Sequence, residues 1–124
     1  MPEPMIDLAD CFFAAAAAHD LDAVRALYAD DARIWHNWDD HEQDVDENLA
    51  TLGSLPQRYD RFDYDAVRTV ALPDGFVRQH DIVVARGDRS ARVPAILRGY
   101  VADGRITRIE EYFDLGQLAA VRAG

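Results

Sequence analysis

Three short turn signals decide what the second half of this chain can become. Pro73-Asp74-Gly75, Arg86-Gly87-Asp88 and Asp103-Gly104 combine residues that preset or tolerate the backbone angles of tight reversals. They divide the segment from Arg61 to Phe113 into four runs: Arg61 to Leu72, Phe76 to Ala85, Ala91 to Val101, and Ile106 to Phe113. Runs of this kind joined by tight turns read as consecutive hairpins. The first half reads differently. Residues 5–18 are dominated by Ala, Leu, Phe and Ile, with Phe12 and Phe13 followed by five alanines, a strong helix pattern. His19-Asp20 breaks it, and Asp20 suits the N-cap of a second helix running to about Tyr28. Asp30-Asp31 marks a turn into a short strand from Ala32 to Trp38. The acidic loop from Asp39 to Glu47 opens a third helix ending near Gly53, its first-turn carboxylates matching the helix dipole. Leu115 to Ala123 reads as a terminal helix. Helices first and hairpins after define an α+β fold, with helices on one face of an antiparallel sheet.

Composition narrows the function classes. A chain of 124 residues with 49% hydrophobic content supports one folded domain, residues 1–124, around one core. A net charge of -10 argues against nucleic acid and anionic membrane as partners. All 13 basic residues are arginine, which reads as a coding bias, and a GC-rich bacterial source is the expectation. The single cysteine, Cys11, excludes an intrachain disulfide and, within an apolar helical run, reads as a small buried hydrophobe. No window approaches the ~20 apolar residues of a membrane span. The acidic opening Met1-Pro2-Glu3-Pro4 lacks the basic start of a secretory signal. A cytoplasmic setting is the expectation.

Strand alternation sorts the chemistry-bearing residues. On the last strand Ile109, Glu111 and Phe113 share a face, and a carboxylate between two large apolar neighbours is costly to bury unless something uses it. On the strand from Phe76, Gln79, Asp81 and Val83 lie opposite His80 and Ile82. Ile34, His36 and Trp38 lie opposite Trp35 and Asn37. Alternation alone leaves open which face is inside. His36, Asp39, Asp40, His41, Glu42, Asp44, Asp46 and Glu47 crowd one span, but they meet no known metal spacing, and a solvated acidic loop is the simpler reading. No metal site is expected. His19 and His80 read as structural or exposed.

The order of elements, the segment Asp20-Leu21-Asp22 through Ala29-Asp30-Asp31-Ala32 to Asn37, and the ending Gly104-Arg105-Ile106 through Glu111-Tyr112-Phe113-Asp114 resemble the nuclear-transport-factor-2-like superfamily. That group includes SnoaL-like polyketide cyclases, ketosteroid isomerases and limonene-epoxide hydrolases. The resemblance implies a cone: a curved antiparallel sheet wrapped around N-terminal helices, enclosing an apolar pocket, often dimeric through the outer sheet face. Matching the turns to the family puts His36, Gln79, Asp81, Leu97 and Glu111 inside. His36 then occupies the place of the isomerase base. Phe12 and Leu97 stand where that enzyme keeps its oxyanion donors, so its mechanism is not expected. The hydrolase comparison makes Glu111 a base and Asp81 an acid, with Gln79 replacing the intervening arginine, and Ile34 and His36 replacing a tyrosine and an asparagine. Without that arginine, two neighbouring carboxylates repel and one should bind a proton. The SnoaL-like cyclases imply proton transfer during aldol ring closure without a cofactor.

The expectation is therefore a cofactor-independent acid/base enzyme (cyclase, isomerase, dehydratase or hydrolase) acting on a small apolar molecule. His36 is its base, and Asp81 and Glu111 share or tune the proton. Gln79, Phe12, Trp38, Leu97 and Phe113 contact substrate, with Leu49, Leu52 and Val83 completing an apolar lining. The alternative is a non-catalytic ligand-binding or dimeric association module of the same fold.

Overall fold

The hairpin turns and the Asp20 cap are where the sequence places them, and the described residues form four helices and six strands. The computed structural model describes residues 4–122. In chain order these are α1 (Pro4–Ala17), α2 (Leu21–Leu27), β1 (Tyr28–His36), β2 (Glu42–Gln43), α3 (Val45–Arg58), β3 (Arg61–Leu72), β4 (Gly75–Arg86), β5 (Arg89–Ala102), β6 (Arg105–Tyr112) and α4 (Leu115–Arg122). The opening Met1-Pro2-Glu3 and the helix end expected at Ala123 lie outside the described residues. No described helix is long and apolar enough to cross a membrane.

Asp20 caps α2 by accepting from the Ala23 amide. Asp44 and Glu47 form a capping box at the start of α3, satisfying amides that the helix itself leaves unpaired. Several boundaries differ from expectation, β1 ending at His36 rather than Trp38 and β5 starting at Arg89 rather than Ala91 among them. Asp30 and Asp31 lie within β1 rather than in a turn before it. A two-residue strand in the acidic loop pairs with β1, Ile34 against Gln43 and Trp35 against Glu42. Helix α3 continues through Gly53 and Pro56 because Leu55 and Tyr59 bury at its end, and tertiary burial outweighs local propensity there. In α1 the buried stripe is Ala9, Phe12, Phe13 and Ala16. Cys11 falls off that stripe and is exposed, not buried as expected.

The sheet runs β2-β1-β6-β5-β4-β3. It is antiparallel throughout except between β1 and β6, which run parallel with His36 beside Glu111. A bulge between Asp65 and Arg68 bends β3, with Ala66 at a φ of 52°. The β4–β5 reversal is a two-residue turn, Gly87-Asp88, with Arg86 paired to Arg89 and Gly87 at a φ of 59°. This register sets Leu97 opposite Arg78. Leu97 is buried, so the inner face of β4 carries Phe76, Arg78, His80, Ile82 and Val84. The placement of Gln79, Asp81 and Val83 inside is therefore corrected: they lie on the other face, with Gln79 exposed. A turn one residue longer would have produced the expected arrangement, because a register slip of one exchanges the faces.

Two apolar clusters form the core. One joins α1, α2 and the start of α3 to β1 and β6 through Phe12, Phe13, Val24, Ile34, Leu49 and Ile109. The other joins the end of α3, α4, β4 and β5 through Leu55, Ile82, Val84, Val93 and Leu118. Phe76, in the first cluster, lies over Gly99, where an added Cβ would sit 2.4 Å from the ring. Gly99→Ala should therefore destabilise the fold by about 1–3 kcal/mol. Urea unfolding followed by circular dichroism measures this, and an unchanged midpoint would show that the ring moves aside freely.

Candidate functional site

Between the two clusters the sheet's curvature leaves a cavity of about 170 Å³. For scale, a cavity of about 150 Å³ lined by apolar side chains admits benzene. Helix α3 lines it with one face, Asn48, Thr51, Leu52, Leu55 and Arg58, the spacing of a single helical stripe, and its C-cap Tyr59 continues the wall. Phe12, Phe13, Ile34, Trp38, Phe62, Ile82 and Phe113 supply most of the apolar wall.

The parallel β1–β6 register brings His36 and Glu111 side by side on the cavity wall, Nε2 to Oε1 at 3.4 Å. His36 stacks on Trp38 with ring centroids 4.5 Å apart and meets Phe113 edge-on. The other Glu111 oxygen faces His80, Oε2 to Nε2 at 3.7 Å, across the position of the small Ala95. His80 is fully buried, and its far nitrogen, Nδ1, accepts a 2.8 Å hydrogen bond from Arg78 Nε. An arginine N–H always donates, so Nδ1 holds a lone pair and the ring is the neutral Nε2–H tautomer aimed at Glu111. Its Nε2 has no closer partner among the described residues. Arg78 in turn lies 4.1 Å over the Phe13 ring and 3.5 Å from Asp10. A polar chain thus runs from surface Asp10 through Arg78, His80 and Glu111 to His36 at the cavity.

Burial pushes the Glu111 carboxyl up, but contacts and charge from His36 and His80 outweigh it and hold the pKa down at about 2. At 3.4 and 3.7 Å those contacts are long for hydrogen bonds, and a neutral His80 offers a dipole rather than a charge. The downward direction stands on the pair of ring N–H groups. Burial, with the Glu111 charge second, raises Tyr28 and Tyr64, so both phenols keep their protons. Tyr28 donates to Asn48 at 2.7 Å, and Asn48 donates to Gln43.

Of the residues singled out from sequence, Phe12, His36, Trp38, Glu111 and Phe113 line the cavity. Leu97 lies in the core beside Glu111 and Arg78 without reaching the cavity. Leu52 lines the cavity and Leu49 packs in the core. Asp81 is turned outward and bonds Arg92 at 3.0 Å, so the expected His36–Asp81 pairing is replaced by His36–Glu111. The acidic loop is engaged elsewhere: His41 with Glu47, Glu42 with Arg108, Asp46 with Arg25 and Asp44 at the α3 cap. Sequence reasoning missed Arg78 and His80, which share the inner face with Phe76, Ile82 and Val84. The greater bulk of that apolar set was the available signal.

A family model described as a SnoaL-like domain matches residues 9–109, and the chain belongs to that family. A candidate polyketide cyclase from Xanthomonas campestris pv. campestris superposes with a TM-score of 0.84 at 18% identity, over 97% of each chain. An NTF2-like protein of unknown function from Burkholderia pseudomallei K96243 gives 0.83 at 19% identity, over 99% of this chain and 100% of that one. IdmH of Streptomyces antibioticus, a candidate polyketide cyclase, gives 0.81 at 18%, over 96% and 97%. Likenesses at these identities establish the NTF2-like fold. No curated protein matches the chain.

A carboxylate whose pKa falls on folding stabilises the native state above its unfolded value and loses that contribution as pH drops through the folded value. The fall from 4.5 to about 2 at Glu111 corresponds to at most roughly 3 kcal/mol. Glu111→Gln should lose that stability at pH 7, and the gap to wild type should narrow between pH 4.5 and pH 2. Urea midpoints at pH 7 and pH 3 measure it. A gap independent of pH would mean that the Glu111 charge does not hold the fold.

Proposed function

We propose that this SnoaL-like protein is a cofactor-independent enzyme that moves a proton on a small apolar carbonyl compound held in the cavity. The observation that carries the reading is the His36–Glu111 pair, set in register on adjacent strands at the wall of a mostly apolar cavity. With Nε2–H turned toward Glu111, His36 Nδ1 offers the lone pair that takes a proton from carbon next to the carbonyl. The C–H electrons pass to the carbonyl oxygen as an enolate, and the Glu111 carboxylate stabilises the imidazolium that forms. The enolate then either attacks a second carbonyl in the same molecule, closing a ring, or takes the proton back at another carbon. In the first case His36 returns its proton to the new alkoxide. Tyr64, a cavity phenol kept protonated by burial, is the donor proposed for the enolate oxygen. That the neighbours in the fold include candidate polyketide cyclases supports the ring-closing branch.

Binding without chemistry is the competing reading. The apolar Phe12 and Ile34 in the cavity wall favour it, because neither can donate to a developing oxyanion.

We also propose that the protein is a homodimer through the outer sheet face. Ile96 and Tyr112 pair across β5 and β6 there, 41% and 48% exposed, and Trp35 packs edge-on against Tyr112 at 5.2 Å.

Two experiments test these proposals. Exchange of the α-protons of 2-tetralone in D₂O, followed by NMR, should be about 10²–10⁴ faster with wild type than with His36→Gln or Glu111→Gln, and slower with Tyr64→Phe. Equal rates for wild type and His36→Gln would leave the binding module as the standing account. Sedimentation velocity should show a wild-type dimer that Ile96→Asp converts to monomer, and a monomeric wild type would refute the interface.

A further inference from the structure

We infer that Arg58 makes the cavity selective for flat apolar acids, reading a carboxylate on the substrate's far end from the reacting carbon. The inference rests on the proposed cavity chemistry and adds the substrate's charge class. Arg58 projects from the same stripe of α3 as Asn48, Thr51 and Leu55, so its side chain faces the cavity those residues line. It is the only arginine among the described lining residues. Its side chain is half-buried and makes no ion pair or hydrogen bond among the described residues. Only its carbonyl is engaged, accepting from Arg86 Nη1 at 3.2 Å. Arg68, Arg89 and Arg105 also lack a side-chain partner among the described residues, but they are exposed, whereas Arg58 is half-buried, and Arg25, Arg78, Arg92, Arg98 and Arg108 all have acidic partners.

A guanidinium withdrawn from water without a partner costs free energy, unless an anion completes it during function. The other charged groups at the lining are already committed. Glu111 is held by two histidines, His41 bonds Glu47 at 2.5 Å, and Asp39 accepts from the His41 amide at 3.2 Å. Arg58 is left as the group able to take a carboxylate in a two-pronged contact. Leu55, Tyr59 and Phe62 beside it suit the flat apolar body that such an acid would carry.

The test compares 2-naphthoate with its neutral isostere 2-naphthamide by titration calorimetry, using the full chain, Arg58→Gln, Arg58→Lys and His36→Gln. Wild type should bind the acid at least about tenfold more tightly than the amide, the scale of one charge-assisted hydrogen bond. Arg58→Gln should erase that preference and leave amide affinity unchanged, Arg58→Lys should keep part of it, and His36→Gln should keep it in full. Equal affinities in wild type, or a preference that survives in Arg58→Gln, would overturn the inference. If the preference instead vanishes in His36→Gln, the anion is read by the imidazole and Arg58 is not the reader. In each of these cases proton exchange on 2-tetralone can persist, so the enzyme reading stands or falls separately. Failure of wild type to bind either probe would sink the apolar-ligand cavity and the selectivity of Arg58 together.

Discussion

The ionised carboxylate of Glu111 is the constraint around which the interior is arranged. Its side chain is only 14% exposed, and a buried charge persists only where neighbours replace the water it has lost. β1 supplies one neighbour, because the parallel pairing places His36 at the same level as Glu111. β4 supplies the other, because His80 stands opposite Ala95, whose small side chain leaves the path to Glu111 clear. Arg78 fixes His80 as a donor there, because its N–H occupies the lone pair of the other ring nitrogen. Arg78 in turn is tolerable in the interior because the Phe13 ring covers it and Asp10 reaches its outer end. Each link is explained by the next. Removing any one leaves a buried polar group without its partner, at a cost of about 1–3 kcal/mol.

How far the sequence discloses this arrangement depends on turn length. The strand bounds of β3 were legible from Arg61 and Pro73, and the capping residue Asp20 marks its helix as local chemistry predicts, whereas the cap at Asp44 is hidden among the carboxylates of the acidic loop. Glu111 was legible too, since its alternation with Ile109 and Phe113 isolates a carboxylate on an apolar face. The inner face of β4 was not. Both of its faces mix polar and apolar residues, Val77-Gln79-Asp81-Val83 against Phe76-Arg78-His80-Ile82, so period-two patterning does not tell them apart. The decision lies in whether Arg86-Gly87-Asp88 reverses the chain over two residues or three. Only a two-residue turn seats Leu97 against Arg78, and one residue more would have faced Gln79 and Asp81 inward. A single backbone angle at Gly87, positive and glycine-favoured, thus separates two different candidate sites.

The cavity has a similarly local origin. A flat sheet would let α1 and α3 close fully against it. Here the bulge at Asp65–Arg68 bends β3 beside the position of His80, and Ala66 occupies a left-handed conformation to make it. Such a conformation costs a non-glycine residue on the order of 1 kcal/mol, which persists when the surrounding structure demands it. The bend carries Phe62 and Tyr64 around the cavity rather than across it. The core is accordingly divided into two clusters, bridged by Leu52 and Tyr64, and the space between them is the cavity.

The corrected register also changes which chemistry the fold can support. An epoxide-hydrolase arrangement calls for two carboxylates with an arginine between them. The outward Asp81 removes one carboxylate from the cavity, and the inward face offers Arg78 and His80 in its place. An arginine is therefore present after all, but it binds a histidine nitrogen at 2.8 Å rather than ordering a second acid. That bond fills the lone pair His80 would need to accept a proton, so His80 can orient Glu111 but cannot exchange protons through Nδ1 while Arg78 holds it. Of the two histidines flanking Glu111, only His36 lines the cavity. A site with one exchangeable imidazole and a carboxylate that steadies it suits a reaction in which a single group removes a proton and gives it back. It lacks the second carboxylate that the epoxide-hydrolase arrangement would place at Asp81.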